Sequence, residues 1–313
     1  QFHIHEKNGD RYILAGYPWF KCRARDMFIA LPGLTLSINE RDYFELVMET
    51  AMRGLQEFMA GQPLSVKIAE IEQPDVMLWA VWCIQQYAKD AGLKACQSRY
   101  GEKLHAILSF IESGHHPHLT LKENGLVYTE GHEKPMTWMN SMADGHPIVP
   151  RSGYIVEFNA LWYNALKFSA EMAALMHDEA EEKRLDNLAM RCQQAFVSCF
   201  ANEYGYLFDY VDEGPQDWSV RPNMIFAIAL DYSPLNQQQK KSVLDVCTRE
   251  LLTPKGLRTL SPKSNGYTPL YTGPQRQRDY AYHQGTAWPW LGGFYMEACL
   301  KIYKRTSLSF VER

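Results

Sequence analysis

VMLWAVWCI (76–84) and FNALWYNALKF (158–168) are the stretches whose reading decides the fold. Neither alternates with a period of two, and neither keeps a polar stripe. Each reads as a helix that is apolar on every side, and such a helix must be enclosed by others. One follows directly on Asp75 and the other on Glu157. A carboxylate at the mouth of an enclosed helix lies over a buried hollow. That points to acid chemistry on an uncharged, ring-shaped substrate.

Outward from these two, half-apolar helices alternate with apolar ones. A short apolar helix is expected over 26–36, interrupted at Pro32-Gly33. Asn39, with Asp42 three residues on, should cap a helix over 40–60 that carries Phe44, Val47, Ala51, Leu55 and Phe58 on one face. Amphipathic helices follow over 98–112, 178–200 and, behind Pro234, 237–251. Apolar ones are read over 157–176, 223–230 and 287–303. Alternation of enclosed and amphipathic helices implies an inner ring inside an outer ring, an all-α (α/α) toroid. About five inner–outer pairs are legible where a closed barrel needs six. The chain opens at Gln1 without Met, so a piece of something longer, short of part of its ring, is the expectation. The long connections all precede inner helices and should collect at one end. The longest, 113–153, is an insertion rich in Gly, Pro and His within one domain over 1–313, and such loops tend to be functional. β-like runs fall at 119–121, 126–128 and 204–209, and 253–282 reads as loop.

Composition narrows the function. A net charge of −4 argues against a polyanionic partner such as nucleic acid. The apolar runs are too short to span a bilayer. No charged leader precedes an apolar stretch, so a cytoplasmic protein is expected. The seven cysteines form no C-x-x-C pair, which fits buried, reduced thiols. Aromatics at 13% are mostly core, but Trp and Tyr in loops suit sugar, whose C–H faces pack on rings. His115-His116-Pro117-His118 lacks a Cys or carboxylate at ligand spacing and reads as a solvated loop, so no metal is expected.

Four stretches carry a family resemblance: AGYPWFKCRARDMFIALPGL (15–34), TWMNSMADGHPIVPRSGYIVEFNALWYNAL (137–166), RPNMIFAIAL (221–230), and GLRTLSPKSNGY with QRQRDYAYHQGTAWPWL (256–291). Together they resemble the C-terminal amylo-α-1,6-glucosidase domain of bacterial and archaeal glycogen debranching enzymes. The resemblance implies a six-hairpin (α/α)6 glycosidase fold, a cytoplasmic enzyme without cofactor or metal, and a branched α-glucan (glycogen or starch limit dextrin) as substrate. It also implies inversion at the anomeric carbon.

Glycoside hydrolysis needs one carboxylic acid on the leaving oxygen and, for inversion, a second carboxylate about 6.5–9.5 Å away to activate water. A desolvated acid keeps its proton near neutral pH. Where the family has Asp in Thr-Trp-Met-Asp, this chain has Asn140, and an amide cannot serve. Asp144, four residues on, and Glu157, which matches a family Glu, are the acid candidates. Against them stand a solvated turn for Asp144 and hydroxyl binding or helix N-terminal charge for Glu157. The base is expected beyond Arg313, since the family's Glu-x-Phe-Asp-Gly stretch is absent and the eukaryotic slot holds Ala287. Arg25-Asp26 matches a family pair that could hold two glucose hydroxyls, against a capping role; Asp75 could bind sugar or cap its helix. Arg221 and Asn223 are candidate donors. Arg278, Asp279, His283 and Gln284 read as substrate contacts or as the network fixing them. Trp138, Trp162, Trp288 and Trp290 could stack on sugar or fill core. Two other readings stay open: a carbohydrate-binding domain without chemistry, favoured by Asn140, and a trehalase-like enzyme of the same fold.

Overall fold

The computed structural model describes residues 2–311. The helices are α1 (Ala24–Leu34), α2 (Arg41–Met59), α3 (Val76–Ala91), α4 (Leu93–Glu112), α5 (Val156–Leu175), α6 (Glu179–Phe200), α7 (Phe226–Ala229), α8 (Gln237–Leu251), α9 (Gln275–Ala281), α10 (Leu291–Tyr303) and α11 (Leu308–Val311). Two compact units are formed, one from residues 1–120 and 168–185, the other from 121–167 and 186–313.

In the first unit α3 packs against α1 and α4. Residues 76–81, 83 and 84 are all buried, as a helix apolar on every side requires. The Asp75 side chain makes no capping bond and takes the Arg25 guanidinium instead. Gly54 of α2 meets the segment after it so closely that a Cβ there would lie 2.6 Å from Val66 Cγ2. A hairpin pairs His3–His5 with Arg11–Ile13.

In the second unit residues 158–166 of the apolar run are all buried. α7 packs against α8 and α10, and all of 222–230 is buried. Leu257 pairs with both Trp288 and Leu252 in a three-stranded sheet that ties the start of the 252–290 connection to its end. Tyr154–Ile155 pairs antiparallel with Tyr210–Val211, joining the connection before α5 to the one after α6.

Several local expectations are corrected. Asn39 does not cap α2: it sits at φ 64°, ψ 25°, closing the 3-10 turn Leu36–Ile38, a left-handed site that Asn tolerates. Pro32 does not interrupt α1, which runs unbroken from Ala24 to Leu34 with the ring buried. Pro234 does not open α8; Asn236 caps it, with Asn236 and Gln239 bonding each other's backbone N–H reciprocally. The 223–230 run is a 3-10 turn (Pro222–Ile225) leading into a single α turn. Residues 204–209 form no strand beyond a bridge at Leu207. α9 lies inside what reads as loop, and α10 starts at Leu291 because Ala287–Trp288 is drawn into the sheet. His116 is buried against Phe58 and Phe110, not solvated.

Asn236→Ala removes the side-chain half of the α8 capping box, the bond accepted from Gln239 N–H, and should lower stability by about 1 kcal/mol. Chemical denaturation of the two proteins side by side measures this, and an unchanged midpoint would deny the box any weight.

Candidate active site

The centre of the second unit is a buried guanidinium. Arg151 lies in the connection before α5, and its side chain is 0% exposed. Its Nη1 and Nη2 donate to Glu157 Oε1 and Oε2 at 2.5 and 2.6 Å. Its Nε donates to Asp209 Oδ2 at 2.6 Å, and Nη2 also reaches Asp209 Oδ1 at 3.2 Å. Both carboxylates are 1% exposed. A planar fork can serve two carboxylates in this way; a lysine cannot.

From Asp209 the network runs outward. Asn223 Nδ2 donates to Asp209 Oδ1 (2.7 Å), and Asn223 Oδ1 accepts from Trp138 Nε1 (2.7 Å). Trp138 is half-buried and stands edge-on to His283, Trp288 and Trp290 at centroid distances of 5.4, 5.4 and 5.1 Å. Arg221 is buried, with Nη1 donating to the carbonyls of Thr259 and His283 and Nη2 to Gln284 Oε1. Its Nε makes no hydrogen bond among the described residues. It points to two carboxylates at longer range, Asp217 Oδ2 at 3.7 Å and Asp209 Oδ2 at 3.9 Å.

The backbone is fixed as tightly. Gly153 sits at φ 93°, and a Cβ there would lie 2.3 Å from the Val211 carbonyl oxygen, so only glycine fits. Gly153 exchanges both backbone bonds with Thr129. Asn159 of α5 holds Val127 by N–H and C=O together, and Trp162 Nε1 donates to the Gly125 carbonyl. Trp162 is therefore core, anchoring the connection it sits beneath.

Burial pushes the Glu157 carboxyl above the usual range, with Arg151 pulling it back. Burial, then the neighbouring Asp209, pushes Asp217 up as well. Burial lowers Arg221 and raises no conflict with its charge, since two carboxylates face it. His283 is driven down to about 3, by burial first and then by Arg221 and Arg151. It stays neutral, accepts from the Ser141 N–H at Nδ1, and leaves Nε2 without a hydrogen-bond partner among the described residues.

Of the residues singled out from sequence, Trp138, Glu157, Arg221, Asn223, His283, Gln284 and Trp288 meet in this network. Asp144 lies on the surface at φ 53°, where Arg276 grips both oxygens and holds its carboxyl below the usual range. Asn140 is half-buried, with no hydrogen bond from its side chain among the described residues. Arg278 and Asp279 lie on α9, each bonded to Gln275, and the Asp279 carbonyl accepts from Ser141 Oγ. Arg25 and Asp75 form a buried bidentate pair in the first unit, shared with Trp79 Nε1, while Asp26 is exposed. Arg151, Asp209 and Asp217 were missed. Arg151 stands six residues before Glu157 in a Gly- and Pro-flanked loop, but its tie to Asp209 spans 58 positions and leaves no local pattern.

No group of three or more His, Cys, Asp or Glu among the described residues could hold a metal. No helix among them is long and apolar enough to cross a membrane.

A family model described as amylo-alpha-1,6-glucosidase matches residues 1–313. The chain belongs to the amylo-alpha-1,6-glucosidase family. Glycogen debranching enzyme from Saccharomyces cerevisiae is 27% identical over 227 aligned positions, covering 58% of this chain. The match takes in only 15% of that relative's length. Among solved structures, neutral trehalase Nth1 from Saccharomyces cerevisiae superposes with a TM-score of 0.65 at 12% identity, over 97% of this chain and 67% of that one. At that identity the likeness carries the fold alone, and that fold agrees with the all-α (α/α) toroid read from the helix alternation.

Arg151→Met strands two buried carboxylates and should cost about 3–5 kcal/mol in denaturant unfolding. Adding Glu157→Gln and Asp209→Asn should recover part of it; a loss under about 1 kcal/mol for the single change would contradict the network. His283 is protonated in the unfolded chain below its ordinary 6.5 but neutral in the folded one down to about 3. Stability should therefore fall as pH drops through that window, by up to about 1.4 kcal/mol per pH unit from this residue, and His283→Gln should remove that share of the slope.

Proposed function

We propose that the chain hydrolyses the α-1,6-linked glucose left at a trimmed branch of glycogen or starch, as a cytoplasmic enzyme working without cofactor. The family supports the bond type. The observation that carries the reading is the line Arg151–Asp209–Asn223–Trp138, in which a buried ion cluster holds a half-exposed indole by its N–H. Trp138 and Trp288 then offer faces for a pyranose, and Gln284, Asn140 and Asp279 offer polar groups to its hydroxyls. Glu157, Arg221, Asn223 and His283 are buried and act as the frame. Arg25 and Asp75, sealed against each other, likewise serve position, with Asp26 the exposed member of that group. Neutral sugar suits such a site, because the charges are paired internally and the rim is aromatic.

A second reading is favoured by one observation. Asn140 replaces the family's acid, Asp144 is tied up at the surface and both Glu157 oxygens belong to Arg151. A domain that binds α-glucan without cleaving it would look this way.

Glucose release from a glycogen limit dextrin, a linear α-1,4 oligosaccharide and trehalose separates these. The account expects glucose from the limit dextrin alone. Binding of glycogen with no glucose released would support the binding domain, and release from trehalose alone would move the chain to the other activity of this fold.

A further inference from the structure

We propose that Asp217, which no sequence pattern singled out, is the catalytic residue that protonates the leaving oxygen. The inference rests on the hydrolase reading above and supplies the acid that reading lacks.

Three carboxylates pair with the Arg151 and Arg221 guanidiniums, and of these Asp217 alone has an oxygen that accepts no hydrogen bond among the described residues. Glu157 gives both oxygens to Arg151. Asp209 has Oδ2 on Arg151 and Oδ1 shared by Asn223 and Arg151. Asp217 accepts the Ser219 N–H at Oδ1 (3.1 Å), while Oδ2 accepts no hydrogen bond among the described residues. Its side chain is 17% exposed, where Glu157 and Asp209 are sealed. A proton on Oδ2 can therefore reach a ligand, and one on the other two carboxyls cannot.

The group is also held still. Asp217 N donates to the Tyr210 carbonyl and its own carbonyl accepts from Asp209 N, which zips it onto the segment that carries the ion cluster. Arg221, the nearest cation, is pinned by the Thr259 and His283 carbonyls and by Gln284. Its Nε stays 3.7 Å from Asp217 Oδ2, near enough to orient the carboxyl and too far to take its lone pair. Burial and the charge of Asp209 favour the protonated form, as an acid requires. Arg221 Nη1 also touches Met139 Sδ, so Asp217 and the Met139-Asn140 segment flank one guanidinium. Asp217 thus offers a carboxyl beside a cation that also touches the residue preceding Asn140. Trp218, half-exposed and braced edge-on by Phe208 (4.7 Å) and Tyr204 (6.0 Å), sets an aromatic surface beside it.

In the step, the Oδ2 proton passes to the glycosidic oxygen as the C1–O bond breaks, and the bond electrons stay on that oxygen. Water adds its oxygen to C1 and gives its surplus proton to solvent. Solvent then returns a proton to the Asp217 carboxylate.

The test compares the full chain with Asp217→Asn on limit dextrin and on α-glucosyl fluoride, whose fluoride leaves without protonation. The expected result is a loss of about 100-fold or more in kcat on the dextrin, with fluoride hydrolysis largely kept, which also shows that the variant is folded. Equal losses on both substrates would make Asp217 a binding residue and overturn the inference, as would no loss on either. Should Asp217→Asn fail to fold, Asp217→Glu is read the same way, a selective loss on dextrin supporting the inference and an even effect overturning it. A wild-type chain that cleaves neither substrate would remove the hydrolase reading itself, a result distinct from either variant outcome.

Discussion

One guanidinium holds the second unit's site together. Arg151 sits with no exposed surface between Glu157 at the head of α5 and Asp209 in the connection after α6. Taking three charges out of water is expensive, and the geometry repays it only because every nitrogen of the fork has an acceptor. Such a cluster contributes position more than stability. It forces the start of α5, the loop before it and the 209–211 segment into a single arrangement, and the paired backbone of Tyr154–Ile155 and Tyr210–Val211 repeats the constraint. Everything nearer the surface hangs from it: Asn223 from Asp209, the Trp138 indole from Asn223, and the aromatic group of Trp288, Trp290 and His283 around that indole.

The enclosed helices were legible because burial on all sides leaves a plain mark. No polar stripe survives in 76–84 or 158–168, and no other environment explains that. Boundaries were less so, and each failure has a local cause. Asn39 looks like a cap, but an asparagine also fits the left-handed turn that follows a 3-10 helix, and residue type alone does not choose between them. Pro234 attracted the start of α8 although the Asn236–Gln239 box lies two residues on. α9 is too short and too exposed to show a period.

The site was legible in part for a different reason. Motif residues such as Trp138, Glu157, Arg221, Asn223 and His283 come together, yet most are interior and act on one another. A motif tells which residues matter and not whether they touch substrate. Arg151, Asp209 and Asp217 join segments separated by long stretches of chain, so their importance is a property of the folded molecule. Charge pairing across the 58 residues from Arg151 to Asp209 has no signature in one sequence. Asn140 can be read directly from the sequence; the open oxygen of Asp217 is a property of the folded chain.

Hydrogen exchange of the wild-type chain and of Arg151→Lys shows whether Arg151 anchors the site. An ammonium carries its donors on one atom and cannot reproduce the fork's paired bonds to both carboxylates. The account predicts faster exchange at the amides of 127–129, 153–157, 209–211 and 221–225 together, with α8 unchanged. Faster exchange confined to the residues beside position 151 would contradict it, because Arg151 would then be one buried ion pair and not the anchor of the site.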